Sequence, residues 1–207
     1  MPYVMDWPPK RVLAVALVGL AMLIAAPVAS ADSSSCPVPP SSPVFSQFGD
    51  SNGYSLVPGG DFQSGDMSGW TLNNASAASG GEPWNVSSAS ASQSLSIGPG
   101  GSAISPSICV SDLFPSLRFF ALNTQGAGWN SGLRVSALWT DSNGNTHAFP
   151  LGHLSDTQFQ SWEPTPSIAL GSYLPDGMSV NVQLEFSSGA NSTWQIDDVY
   201  VDPYAKR

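Results

Sequence analysis

Two adjacent carboxylates, Asp197 and Asp198, stand inside a stretch otherwise built to be buried, Trp194-Gln195-Ile196-Asp197-Asp198-Val199-Tyr200-Val201-Asp202. A strand turns alternate residues to opposite faces, so a strict period of two sends Trp194, Ile196, Asp198, Tyr200 and Asp202 one way and Gln195, Asp197, Val199 and Val201 the other. Each row then carries an acid whose burial is costly unless a partner compensates it. Far upstream, Gly59-Gly60-Asp61-Phe62-Gln63 and Gly65-Asp66-Met67-Ser68-Gly69-Trp70 offer turn carbonyls and two further acids. Such oxygens, gathered around carboxylates, suit a hard divalent cation. The alternative is that loop amides donate to Asp197 and Asp198 and no metal takes part. Either way the first and last strands of the domain have to meet.

The rest of the chain supplies strands for that purpose. Short aliphatic, aromatic and β-branched runs are expected as strands at 55–57, 70–72, 84–86, 93–97, 102–105, 108–110, 117–122, 133–140, 146–151, 161–163, 167–170 and 180–186, each followed by Gly, Pro, Asn, Asp or Ser. Residues 73–81 and 123–132 read as loops, the second Gly-rich and carrying Trp129, and His153 and Asp156 fall in a third. In 133–139 the residues Leu133, Val135, Ala137 and Trp139 face one way and Arg134 and Ser136 the other, the pattern of a half-solvated strand. Asn143-Gly144 predicts a type I′ hairpin turn. No window after the first 31 residues holds a helical apolar stripe. The expected fold class is all-β, an antiparallel β-sandwich of jelly-roll type with about ten short strands.

The chain of 207 residues opens with Lys10 and Arg11, an apolar run from 12 to 26 and then Ala29-Ser30-Ala31. These are the parts of a secretory signal peptide, 1–31. An uncleaved anchor is the alternative, but the run is short of the roughly 20 residues a spanning helix needs. A Ser/Pro-rich extended leader, 32–44, and a single sandwich domain, 45–204, would follow. Without residues 1–31 the chain has fourteen acids against four bases, a net charge of −10. Four scattered cations cannot build a phosphate-binding surface, so nucleic acid is excluded as a partner. After signal cleavage no membrane span remains, and a secreted, extracellular monomer is expected. Cys36 and Cys109, exported together, form one disulfide in the leading interpretation, against two free or buried thiols.

The segment 56–65, Leu-Val-Pro-Gly-Gly-Asp-Phe-Gln-Ser-Gly, with Gly69-Trp70-Thr71 after it, resembles the N-terminal signature of the carbohydrate-binding modules of families four, nine and twenty-two. Ile196-Asp197-Asp198-Val199-Tyr200-Val201 is similar to their terminal strand. The stretch from Cys36 to Pro203 also resembles a set of secreted actinobacterial proteins of the same plan, down to the Arg-Phe-Phe run at 118–120. In those modules the two segments share a structural calcium ion. The resemblance implies ligands from the carbonyl near Gly60, the side chains of Asp61 and position 63, and Asp198. Position 63 is Gln63 where the family has Glu, which removes one charge from the set.

Sugar binding uses flat aromatic faces beside planar polar groups, because a sugar ring shows C–H patches among its hydroxyls. Trp129, next to Asn130, is the leading platform, followed by Trp84 and Trp162. Trp70, Trp139 and Trp194 belong to the core. Arg118, Arg134, Gln183 and Glu185 alternate with buried neighbours and would line a sheet face able to bind hydroxyls, or would be a solvated outer face. Enzymatic patterns fail: Gly49-Asp50-Ser51 resembles a lipase-like nucleophile block, yet the partner order needed near the C-terminus is reversed in His153-Leu154-Ser155-Asp156. Glu82, Glu163 and Glu185 show no spacing that selects a glycosidase pair. His147 and His153 are too isolated for a zinc site. The expected function is non-catalytic binding of a cell-envelope or extracellular polysaccharide, with a structural calcium. The alternative is a structural or surface-interaction protein that keeps the fold and has no sugar site.

Overall fold

A computed structural model describes residues 39–63, 67–87, 92–110, 116–141, 143–170 and 180–202. Spatial contacts divide the chain into two units, Met1–Asp32 and Ser33–Arg207. The first unit, with the expected signal peptide, lies outside the described residues, as do Cys36, Asp66 and residues 203–204. Among the described residues no helix is long and apolar enough to cross a membrane.

The described residues form eleven strands and one short 3-10 turn, Ser46–Phe48. The strands are β1 (Ser55–Leu56), β2 (Thr71–Ser79), β3 (Gln93–Ile104), β4 (Ile108–Val110), β5 (Ser116–Gln125), β6 (Leu133–Thr140), β7 (Thr146–Leu154), β8 (Glu163–Pro164), β9 (Ile168–Ala169), β10 (Val180–Ser188) and β11 (Thr193–Asp202). All pairings are antiparallel, so the all-β class holds.

One strand makes two layers out of a continuous sheet. β3 pairs β2 along one edge, while its other edge takes β11 at Leu95–Ile97 and β10 at Ser102–Ile104. Two different neighbours fit on one edge because the chain turns a corner at Gly98-Pro99-Gly100-Gly101, where β2 slips register between Asn73 and Ala75 and Asn74 takes a φ of 47°. A Cβ on Gly101 would meet the carbonyl oxygens of Asn74 and Asn73 at 2.6 and 2.8 Å, so the corner requires glycine there. The sequence expectation of two strands, 93–97 and 102–105, is therefore corrected to one bent strand. The expected loop at 73–81 is most of β2: its small residues have weak strand propensity, but pairing along β3 overrides it.

Beyond the corner, one layer runs β7-β6-β10-β3-β2 and the other β2-β3-β11-β5, with β8 and β9 on β5 and β1 on β11. The main core between them includes Leu95, Ile97, Phe119, Val135, Leu184, Phe186, Trp194 and Ile196, all with no exposed surface. β5 is buried on both faces. Leu117, Phe119 and Ala121 join the main core, while Phe120 turns outward into a second cluster with Phe45, Tyr54 and Tyr200. The segment around Phe45 and Phe48 covers that outer face.

The closing strand departs from strict alternation. Asp198 has a φ of 51° and the pairing with β5 shifts between Asp197 and Tyr200. This bulge inserts one residue, so Trp194 and Ile196 before it and Val199 and Val201 after it all reach the main core, and Tyr200 packs in the second cluster. The expected row of Trp194, Ile196, Asp198 and Tyr200 is thus broken at its acid. The bulge is clasped from upstream: Val57 N–H donates to the Val199 carbonyl and Val199 N–H to the Gly60 carbonyl, each at 2.9 Å, and Ser55 and Leu56 pair with Val201 and Tyr200. The first and last strands meet as the acids require.

Two local expectations also change. Residues 84–86 form a turn and not a strand, because the Glu82 carboxylate accepts the N–H groups of Trp84 and Val86 at 2.6 and 2.7 Å. At the hairpin between β6 and β7, Gly144 N–H donates to the Asp141 carbonyl at 3.0 Å, so Gly144 closes the turn and Asn143-Gly144 are not its two central residues. The expected Asn-Gly type I′ turn is therefore not formed; the Asp141 carboxylate holds the turn by accepting the N–H groups of Asn143 and Asn145, each at 2.9 Å.

Candidate functional site

Asp197 and Asp198 are both fully buried but are compensated unequally. Asp197 accepts the Asp198 N–H at 2.9 Å on one oxygen and the Glu82 N–H at 3.0 Å on the other. Neither oxygen of Asp198 has a hydrogen-bond partner; the Ser87 hydroxyl faces it without bonding geometry. Burial pushes Asp197 up to about 8, with the Asp198 charge adding to it. Asp198 rises to about 7, again through burial first, with the charges of Glu82 and Asp61 opposing its ionisation. Tyr200 is likewise raised, by burial and by the same four acids.

This is a pocket of negative charge that requires protons or a cation. The ligand set implied by the family pattern fits it in part. Gln63 does not serve: its Oε1 accepts the N–H groups of Ser92 and Gln93, and its amide donates to the carbonyls of Asp61 and Gln93, so it straps the turn to β3. The Gly60 carbonyl accepts Val199 N–H and keeps a second lone pair that could face a cation. Asp198 and Asp61 remain, with Glu82 as a third acid in their field. Among the described residues no three acid, His or Cys side chains converge into a cage by themselves.

The second feature is a cleft of about 320 Å³ beside the loop from Gly126 to Gly132. Trp129 is 93% exposed on that loop, the largest apolar surface the described residues show to solvent. The loop is fixed from two sides. Asp156 accepts Gly128 N–H at 2.7 Å and Ser131 Oγ–H at 2.8 Å, and these bonds hold its carboxyl below its usual range. From the turn after β10, the Asn191 side chain donates to the Trp129 carbonyl at 3.1 Å, and its N–H to the Asn130 carbonyl. Asn130 takes a φ of 62° to make this turn, a conformation Asn tolerates. Gly132 lies against the His153 ring, and a Cβ there would also meet the Leu154 carbonyl at 2.7 Å.

Of the expected ligand residues, the structure brings Trp129, Asn130 and Arg134 together in this cleft. Gln183 and Glu185 lie on the same sheet face as Arg134, opposite Leu138 and Ser136 of β6, but outside the cleft; Gln183 donates to the Ser105 carbonyl at 3.0 Å. Three residues are placed elsewhere, a correction to the expected sugar-binding face. Arg118 is buried, donating to the Thr165 carbonyl and to Asp50 at 2.9 and 2.8 Å with its guanidinium 4.4 Å from the Phe45 ring centre. Trp84 stacks on Phe120, and Trp162 packs against the same cluster. Arg118 was open to a binding role because alternation alone cannot tell that a further segment covers β5.

His153, Ser155, Ser131 and Asp156 also line the cleft and were not expected there. His153 is an exposed strand residue, paired with Arg134 across β6 and β7. Counting register outward from the hairpin would have found it, had the return strand been carried past Leu151. Glu82, considered for acid–base work, is buried as a turn clamp, and Asp50 of the Gly-Asp-Ser block is committed to Tyr54 and Arg118.

The chain matches no protein-family model and no curated protein sequence. Among solved structures it is similar in fold to the CBM22-1 xylan-binding domain from Paenibacillus barcinonensis, at 16% identity over 70% of this chain and 93% of that one, with a TM-score of 0.48. A family 61 carbohydrate-binding module in complex with β-1,4-galactotriose matches at 13% identity over 70% and 96%, TM-score 0.39. The cleaved K1 adhesin domain of Lys-gingipain from Porphyromonas gingivalis matches at 14% identity over 72% and 95%, TM-score 0.42. These are likenesses of chain path; what the cleft can bind follows from its own side chains.

Proposed function

We propose that the protein is a secreted, non-catalytic carbohydrate-binding module that holds a cell-envelope or extracellular polysaccharide against Trp129. The observation that carries this is the 93% exposed indole on a loop pinned by Asp156 and Asn191, beside a polar cleft. An indole left in water forgoes burial worth roughly 1.5–3 kcal/mol. A rigidly displayed one loses little entropy when a sugar ring covers it, while Asn130, Arg134 and Ser155 supply hydrogen bonds for hydroxyls. A glycan array probed with the chain from residue 32 onward identifies the ligand, and calorimetry then compares Trp129→Ala. The variant should bind about tenfold or more weakly, the scale of losing a buried aromatic contact. Unchanged affinity would reject this site. An array without hits would favour the alternative, a surface-interaction protein on the same scaffold.

Calcium at Asp198 belongs to the same proposal as a structural cofactor. The orphaned carboxylate supports it, and backbone carbonyls and water would complete the coordination of an ion that prefers oxygen. A Cys36–Cys109 disulfide would tie the leader to β4, which carries Cys109 opposite Asn181 of β10. Non-reducing peptide mapping of exported protein should recover the two cysteines in one cross-linked peptide pair; recovery of both as thiols would refute the bond.

A further inference from the structure

The described residues include two Lys or Arg side chains, and the fold treats them oppositely. Arg118 is buried and paired with Asp50. Arg134 is exposed, stands in the cleft beside Trp129 and has no ion-pair partner among the described residues, in a chain with a formal net charge of −9. Among the described residues of this acidic protein, the single exposed guanidinium is left without an ion pair beside the most exposed aromatic, where it is available to an anion.

We propose that the cleft selects a saccharide carrying an oxyanion, a uronate carboxylate or a sulfate ester, bound by Arg134 while the ring lies on Trp129. This rests on the carbohydrate-binding function proposed above and names its ligand class. The acid that lines the cleft, Asp156, is buried and its charge is offset by donors: one oxygen accepts Gly128 N–H and Ser131 Oγ–H, and the other accepts Ser155 Oγ–H at 3.4 Å. His153 presents its ring on the same face as its strand partner Arg134. Glu185 is the other acid on this face. It stands opposite Ser136, one step along the sheet from the Ser187–Arg134 pair, and is outside the cleft lining. The cleft therefore offers more donors than free acceptors, a bias that suits an oxyanion, which only accepts, better than a hydroxyl, which also donates.

Calorimetry with a uronic acid trimer, its methyl ester and a sulfated trimer of the same linkage tests the proposal. At least one charged trimer should bind about tenfold or more tightly than the neutral ester, and the charged arm that does so identifies the oxyanion. The preference should shrink as salt is raised. Arg134→Gln should bring charged and neutral trimers level, while its melting temperature stays at the wild-type value because the side chain is exposed. Trp129→Ala should weaken every trimer. Neutral trimers binding as well as charged ones, with the same dependence on Trp129, would overturn the anion selectivity and leave the carbohydrate-binding module standing. A preference that survives in Arg134→Gln would overturn the role of Arg134. Failure of every saccharide, charged and neutral, would overturn the module itself and this inference with it.

Discussion

In chelator, the protein should lose thermal stability as the pH is raised from about 5 to about 8.5, and calcium should restore it. The sign follows from the buried pair. Asp197 and Asp198 have folded-state values near 8 and 7 against an unfolded value of 3.8, so the native state binds more protons than the unfolded state between those limits. Their contribution is full below the unfolded value and is lost as pH rises through 7 and 8. Asp50 and Asp156 act in the opposite direction. Burial raises Asp50, but bonds from Tyr54, Asn52 and Arg118 outweigh it, and Ser131 and Gly128 lower Asp156, so their contributions fade as pH falls through their depressed values. The window above about pH 5 isolates the buried pair.

A cation inverts the balance by making the ionised form the favoured one and by binding only the folded state, which adds about 2.7 kcal/mol at a hundredfold excess over Kd. For a domain of this size that is a rise of about 5–10 °C in melting temperature. Asp198→Asn should melt higher than wild type in chelator at pH 8.5, because one buried charge is gone, and should lose most of the calcium response. With Gln63 committed to Ser92 and Gln93, the affinity should be modest and the titration should extend to millimolar calcium. Superimposable wild-type melting curves in chelator and in saturating calcium would rule out the cation. A flat pH profile in chelator would rule out the buried charge.

Trp194→Ala should be among the most damaging single changes, costing about 3–5 kcal/mol and lowering the melting temperature by about 6–20 °C. Trp194 has no exposed surface, sits in the main core near Phe159 and donates through Nε1 to the Ser131 carbonyl at 2.9 Å. Truncation opens a large cavity and also orphans a carbonyl in the residue that helps pin the Trp129 loop. Saccharide binding should therefore weaken in this variant at temperatures where it is still folded. Trp194→Phe keeps most of the apolar volume and loses the hydrogen bond, so it should fall between the two. A Trp194→Ala melting temperature within about 2 °C of wild type would show that the core does not depend on this side chain.

Much of the architecture is written locally. The alternation of Val182, Leu184 and Phe186 and of Leu133, Val135 and Ala137 is enough to call strands, and all six residues are buried as that alternation requires. The meeting of the Gly-Asp-Phe segment with the last strand is likewise legible, because two adjacent acids in an apolar strand demand compensation from somewhere. Sequence spacing could also place Trp129, Asn130 and Arg134 near one another, since a loop and the strand that leaves it are neighbours in any fold.

What the tertiary structure alone decided are the matters in which distant segments compete for the same face. Arg118 read as an outward residue and is buried instead, because the segment around Phe45 lies over it and packs with Phe120 into a second core. The residues at 73–79 read as loop and became strand, because β3 offered them an edge. The bulge at Asp198 inverted the second half of the closing strand, and it gave two neighbouring carboxylates opposite fates: Asp197 found two backbone N–H groups and Asp198 found none. A period-two pattern carries no information about where a register will slip. Slippage is set by which carbonyls and amides stand across the strand, and those come from residues 57–60 and 82, more than a hundred positions away in the chain.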